Sequence, residues 1–125
     1  MKIVQLESPF KGVNWERTEF NEAYAHACIA DSLSRGETPF ASHILYTKAT
    51  NDMNPIERAF GIEAGLNFLK VASKSVVYTD FGISKGMEFG IQRAIELNIE
   101  VEFRNLSKSK YKEFWIKNKH LFNVS

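Results

Sequence analysis

The residues best able to do chemistry fall in three segments, each just after a short apolar run. They are Ser8-Pro9-Phe10-Lys11-Gly12, His43-Ile44-Leu45-Tyr46, and Asp80-Phe81-Gly82-Ile83-Ser84-Lys85-Gly86-Met87-Glu88. The third leads into a helical pattern. A helix N-terminus presents unpaired amides and a partial positive charge, so it suits an anion. Glycines there let a ligand approach the backbone. Ser84 either caps that helix or holds a phosphate oxygen. Asp80 and Glu88 flank the glycines, and two carboxyl groups can divide acid and nucleophile roles at a glycosidic carbon. Ser8 to Gly12 could cradle a sugar or phosphate, although Ser-Pro after a strand is also an ordinary turn. His43 could orient a hydroxyl or a phosphate, act as acid or base, or be structural. Glu63, a further carboxylate, lies five residues after Arg58, and the structural alternative for that pair is a surface ion pair worth little. No Walker pattern and no GxGxxG is present, which argues against a triphosphatase and a dinucleotide oxidoreductase.

Strands and helices in alternation must position these segments. Ile3–Leu6 reads as the first strand, ended by Ser8-Pro9. A helix from about Trp15 to Ser34 follows, with Phe20, Tyr24, Ala27, Cys28, Ile29 and Leu33 at three-to-four spacing and Gly36 as its stop. Pro39–Tyr46 holds the second strand and its exit, with His43 at the strand's end and a polar loop from Thr47 to Met53. Asn54-Pro55 opens a second helix with a capping residue and a proline that leaves no unpaired amide. Ile56, Phe60, Ile62, Leu66 and Leu69 are its expected apolar face, and Gly61 and Gly65 suggest close packing against the sheet or a neighbouring subunit. Ser75–Thr79 is the third strand and the most core-like. Ser84 caps a helix running to about Asn98, with Met87, Ile91, Ala94, Ile95 and Leu97 inward. Ile99–Phe103 alternates apolar and charged residues, as a half-exposed or edge strand does. A last helix follows Ser107, with Tyr111, Phe114, Trp115 and Leu121 as its apolar residues. Such alternation calls for a parallel sheet with right-handed crossovers, whose ligands bind beyond the carboxyl ends of the strands.

The chain has 125 residues, 44% hydrophobic and 25% charged, which suits one globular domain spanning 1–125. Sixteen basic against fifteen acidic residues give a net charge of +1, which argues against a dedicated nucleic-acid binder. The lysines at 108, 110, 112, 117 and 119 read as a solvated helix face. Cys28 is the one cysteine, so no internal disulfide forms; it reads as a small buried apolar residue. Neither a secretory signal nor a membrane-spanning stretch is visible, so a cytoplasmic location is expected. No ligand cluster suggests a metal.

The opening Ile3-Val-Gln-Leu-Glu-Ser8-Pro-Phe-Lys-Gly12, the stretch Pro39–Tyr46, the helix start Asn54–Gly65 and Tyr78–Met87 together resemble the nucleoside 2-deoxyribosyltransferase-like superfamily. The resemblance covers nearly the whole chain and is nearest to small phage and bacterial members. It implies a flavodoxin-like, that is Rossmann-like, sheet of four to five parallel strands flanked by helices. It also implies a homo-oligomer with sites at subunit interfaces, no cofactor or metal, and a location in the host cytoplasm if phage-encoded. Active members cleave the N-glycosidic bond of a nucleoside or nucleotide by glutamate attack on the anomeric carbon, and pass the sugar to a base or to water. In many of them that glutamate sits four residues after the glycine of the helix-leading turn, a position that is Gly90 here. Glu88 is two residues earlier, about 200° around an α-helix from position 90. On this resemblance Glu88 is the candidate nucleophile and Asp80 assists protonation of the base or orients the sugar. Ser8, Gly12, His43, Ser84, Gly86 and Met87 would line the sugar or phosphate site, and Phe10 and Tyr46 would stack on the base. The glycine at 90 favours the alternative, an inactive protein that binds a nucleotide or ADP-ribose-like signal. A structural or protein-interaction role is the third reading.

Overall fold

The computed structural model describes residues 1–10, 12, 14–46, 49–51 and 53–122. Lys11, Val13, part of the expected loop at 47–53 and the Leu121 side chain lie outside the described set. Four parallel strands, β1 (Lys2–Glu7), β2 (Glu37–Phe40), β3 (Lys74–Tyr78) and β4 (Glu100–Arg104), form one sheet in the order β2-β1-β3-β4. This is the α/β, Rossmann-like sheet that the alternation implies. The order reverses direction at β1. By the right-handed crossover rule, the first helix therefore covers one face and the next two crossover helices cover the other.

Helix α1 (Trp15–Ser34) starts where Asn14 accepts the Arg17 amide at 2.8 Å and stops at Arg35-Gly36, where Gly36 takes φ +81°. Its Tyr24 and Cys28 pack with Val4, Leu6, Val76 and Tyr78, the apolar centre of the fold. Helix α5 (Lys112–Asn118) joins that side through Phe114, whose ring lies 5.4 Å from Phe20 and 5.8 Å from Tyr24. Between the sheet and the end of α1 lies a charged network. Arg104 grips both oxygens of Glu37, at 2.8 and 2.6 Å, and also reaches Glu102 and the Tyr78 hydroxyl. Tyr78 donates to Asp31 at 2.6 Å, and Ser32 donates to Glu37 at 2.8 Å.

On the other face, α3 (Pro55–Val71) begins with Asn54 accepting the Ile56 and Glu57 amides, as the Asn-Pro signal implies. Its apolar face departs from expectation. Leu69 is buried and Leu66 half-buried, but Ile56, Phe60 and Ile62 are 66%, 64% and 42% exposed. Apolar residues are spread round this helix among Glu57, Arg58, Glu63 and Lys70, so periodicity selects no single inward stripe. Helix α4 (Lys85–Glu96) is capped by Ser84, which accepts the Met87 amide at 3.2 Å. Met87 and Ala94 are buried, whereas Ile95 and Leu97 are exposed. Asn98 closes the helix at φ +58°, a backbone region that asparagine tolerates. β4 is an edge strand, as its alternation implies. Among the described residues, no helix is long and apolar enough to cross a membrane.

Candidate functional site

A cleft of about 620 Å³ opens beyond the carboxyl end of β1, on the side of α3 and α4. That is where the sheet order reverses, the usual ligand position in such folds. Its floor comes from β1 and the turn after it. Successive strand residues face opposite sides, so Val4 and Leu6 enter the α1-side core while Gln5 and Glu7 line the cleft. Ser8, Phe10 and Gly12 continue the lining. A short helix, α2 (Ser42–Leu45), brings Ser42 and His43. This corrects the expectation that His43 ends the second strand, because β2 stops at Phe40. Helix α3 presents Arg58 and the glycines 61 and 65. A Cβ at Gly65 would sit 3.1 Å from Ser42 Oγ, so the glycine permits close approach of α2 to α3. Among the described residues no ion pair joins Arg58 to Glu63. The start of α4 supplies Ser84, Lys85, Gly86 and Met87, followed one turn on by Phe89, Gly90 and Arg93.

Two ionisable groups in the cleft are strongly perturbed. Burial pushes the Glu7 carboxyl up to about 8, against a smaller opposing hydrogen bond from Gln5. At neutral pH most of it is protonated, although its usual value is 4.5. Burial pushes His43 down to about 4, so its ring is neutral across the physiological range. His43 Nε2 is 2.8 Å from Ser8 Oγ, and its ring stands edge-on to Phe10 at 6.3 Å. The side-chain amide of Gln5 is 3.4 Å from Ser42 Oγ, while its Oε1 is buried and meets no hydrogen-bond partner among the described residues.

Ser8, Phe10, Gly12, His43, Ser84, Gly86 and Met87 are thus brought to one cleft, and Ser84 also caps α4. Three expected site residues are placed elsewhere. Glu88 is exposed and outside the cleft lining, because two residues of α-helix turn it away from Gly90. Asp80 accepts the Tyr24 hydroxyl at 2.7 Å and the Leu106 and Ser107 amides at 2.8 and 3.3 Å. Those bonds tie α1 to a short 3-10 turn at Leu106–Lys108, away from the cleft. Tyr46 packs on Phe40, with ring centroids 6.2 Å apart, and lies outside the lining. Glu7, Gln5 and Arg58 are cleft residues that motif reading does not supply as site residues. The first two carry a signal nonetheless. An interior parallel strand is ordinarily apolar on both faces, and β1 is polar at alternate positions on one.

A family model described as a domain of unknown function, DUF7768, matches residues 2–104. Among solved structures, the chain is similar to a 2-deoxyribosyltransferase from the psychrotolerant bacterium Bacillus psychrosaccharolyticus, a biocatalyst for the synthesis of antiviral and antitumoral nucleosides. The TM-score is 0.60 at 18% identity, over 83% of this chain and 72% of that one. At that identity the likeness is one of fold. No curated protein matches the chain.

Proposed function

We propose that this chain, which belongs to the DUF7768 family, binds a nucleoside or nucleotide in the cleft and cleaves its N-glycosidic bond, passing the sugar to water or to another base. The observation that carries this reading is a carboxyl group, Glu7, set in the floor of a cleft at the sheet's switch point. The 620 Å³ volume is within the range of small-molecule sites. The solved transferase of the same fold acts in nucleoside synthesis, which is the chemistry such a carboxyl serves. Ser8 and the Ser84–Gly86 backbone offer polar partners to a sugar or phosphate, and Phe10 and Phe89 offer faces to a base. No cofactor is needed for this reaction.

The inactive nucleotide-binding protein is the second reading, and Gly90 is what favours it. Calorimetric titration of the purified chain with deoxynucleosides, ribonucleosides and their 5′-monophosphates tests the ligand class. Saturable binding of one of them is expected, whereas no heat and no thermal stabilisation across the set would contradict both readings.

We further propose that the exposed side of α3 is covered by a second copy of the chain. Ile56, Phe60 and Val71 are each more than 60% exposed and share one side of this helix, away from the residues that line the cleft. Large exposed apolar patches commonly mark interaction surfaces. Light scattering behind size exclusion should give a dimer or higher multiple, and Phe60→Lys should reduce it to a monomer. A monomeric wild-type chain at tens of micromolar would contradict this.

A further inference from the structure

We propose that Glu7 is the group that bonds to the anomeric carbon, acting from β1 in space that a side chain at position 90 of α4 would otherwise fill. This rests on the N-glycosidic reading above. Among the described residues that line the cleft, Glu7 is the one carboxyl group. A Cβ at position 90 would collide with Glu7 Oε2 and lie 2.7 Å from its carboxyl carbon. Any side chain at 90 must therefore displace that carboxyl, and glycine leaves it in place. Beside it on the same face of β1, Gln5 is 4% exposed, and its Oε1 has no hydrogen-bond partner among the described residues. The floor of the cleft thus holds an acid and an unmatched buried acceptor two residues apart.

The chemistry balances with water as the only co-reactant. A lone pair of the ionised Glu7 carboxylate forms a C–O bond to the anomeric carbon as the C–N bond breaks. The C–N electron pair stays on the base nitrogen, which takes a proton from solvent. Water then forms its own C–O bond at the same carbon, the ester C–O bond breaks, and its electron pair returns to Glu7. The proton lost by that water replaces the one taken by the base. Attack by a second base in place of water gives sugar transfer. His43, Arg58, Lys85 and Arg93 are the other titratable or charged side chains around the cleft, and His43 is neutral above about pH 4. Glu7, pushed up to about 8 by burial, is then the group whose ionisation governs the neutral range.

The test uses the full chain and a nucleoside that the wild type cleaves. Glu7→Gln should remain folded by circular dichroism and lose base release by about 10³-fold or more. Wild-type kcat/KM should rise about tenfold per pH unit to near pH 8 and then level off. After reaction with a 2-fluoro-2-deoxy nucleoside and digestion with trypsin, the peptide 3–11, whose one side-chain carboxyl is Glu7, should carry the added sugar mass. Wild-type release retained in Glu7→Gln, a profile that falls through pH 8, or the sugar on peptide 86–93 with Glu88 would overturn the assignment alone. No base release by the wild type from any nucleoside would overturn the N-glycosidic reading and the assignment with it.

Discussion

Arg104→Met should cost about 3–5 kcal/mol of folding stability, the range seen when one partner of a buried ion pair is removed. Arg104 is 5% exposed and forms a bidentate pair with Glu37, which is 8% exposed. Without the guanidinium, the Glu37 carboxylate is left in the core with the Ser32 hydroxyl and a distant Lys74, 3.9 Å away. Tyr78 and Glu102 lose a partner at the same time. Hydrogen bonds from Arg104 hold the Glu37 carboxyl below its usual 4.5, and Lys74 foremost, with Arg104, holds Glu102 at about 2. A carboxyl depressed in the fold contributes stability above its unfolded value and loses it as pH falls. The gap between wild type and Arg104→Met should therefore be widest near pH 7 and narrow from about pH 4.5 down to pH 2. Thermal melts read this directly. Adding Glu37→Leu should recover much of the loss, since replacing a whole buried pair by apolar residues is often neutral. Equal melting temperatures for wild type and Arg104→Met at pH 7 would contradict the account of this core.

Glu7→Gln should have the opposite sign. Its carboxyl is pushed from 4.5 up to about 8 by burial, so the fold prefers the neutral form. Stability from this group is intact below about pH 4.5 and is lost as pH rises through about 8. Glutamine keeps a similar shape and cannot ionise. The variant should match the wild type near pH 4 and exceed it by about 2–4 kcal/mol at pH 9, a value reduced from the full shift because Glu7 is partly open to the cleft. Melting curves at the two pH values measure it, and a gain independent of pH would contradict it. Loss of base release with a gain in stability is the trade expected where a destabilising buried carboxyl serves function.

Much of the scaffold is legible from local signals. Gly36 stops α1, Asn54-Pro55 opens α3 and Ser84 caps α4, each by chemistry confined to a few neighbouring residues. That residues from all three strand-end segments reach one cleft is legible too, because strand ends in an alternating α/β chain converge on one edge. What is not legible depends on distance along the chain or on shortness. Arg104 meets Glu37 across 67 residues, so nothing local marks either as a core ion. His43 sits in a four-residue helix, too short to leave a periodicity. Glu88 and Asp80 look suitable by type and spacing, but helix rotation carries one outward and amides after β4 claim the other. Glu7 is hidden by its strand. It reads as the polar end of a β-run until β1 is known to be interior, and only then does a carboxyl on its cleft face stand out.

The most direct test of the central claim is chromatography of free base after incubating wild type and Glu7→Gln with the panel of nucleosides and nucleotides. Base released from at least one compound by the wild type, and not by Glu7→Gln, is the expected result. No base from any of them, with the wild-type chain folded, would contradict cleavage of an N-glycosidic bond in this cleft.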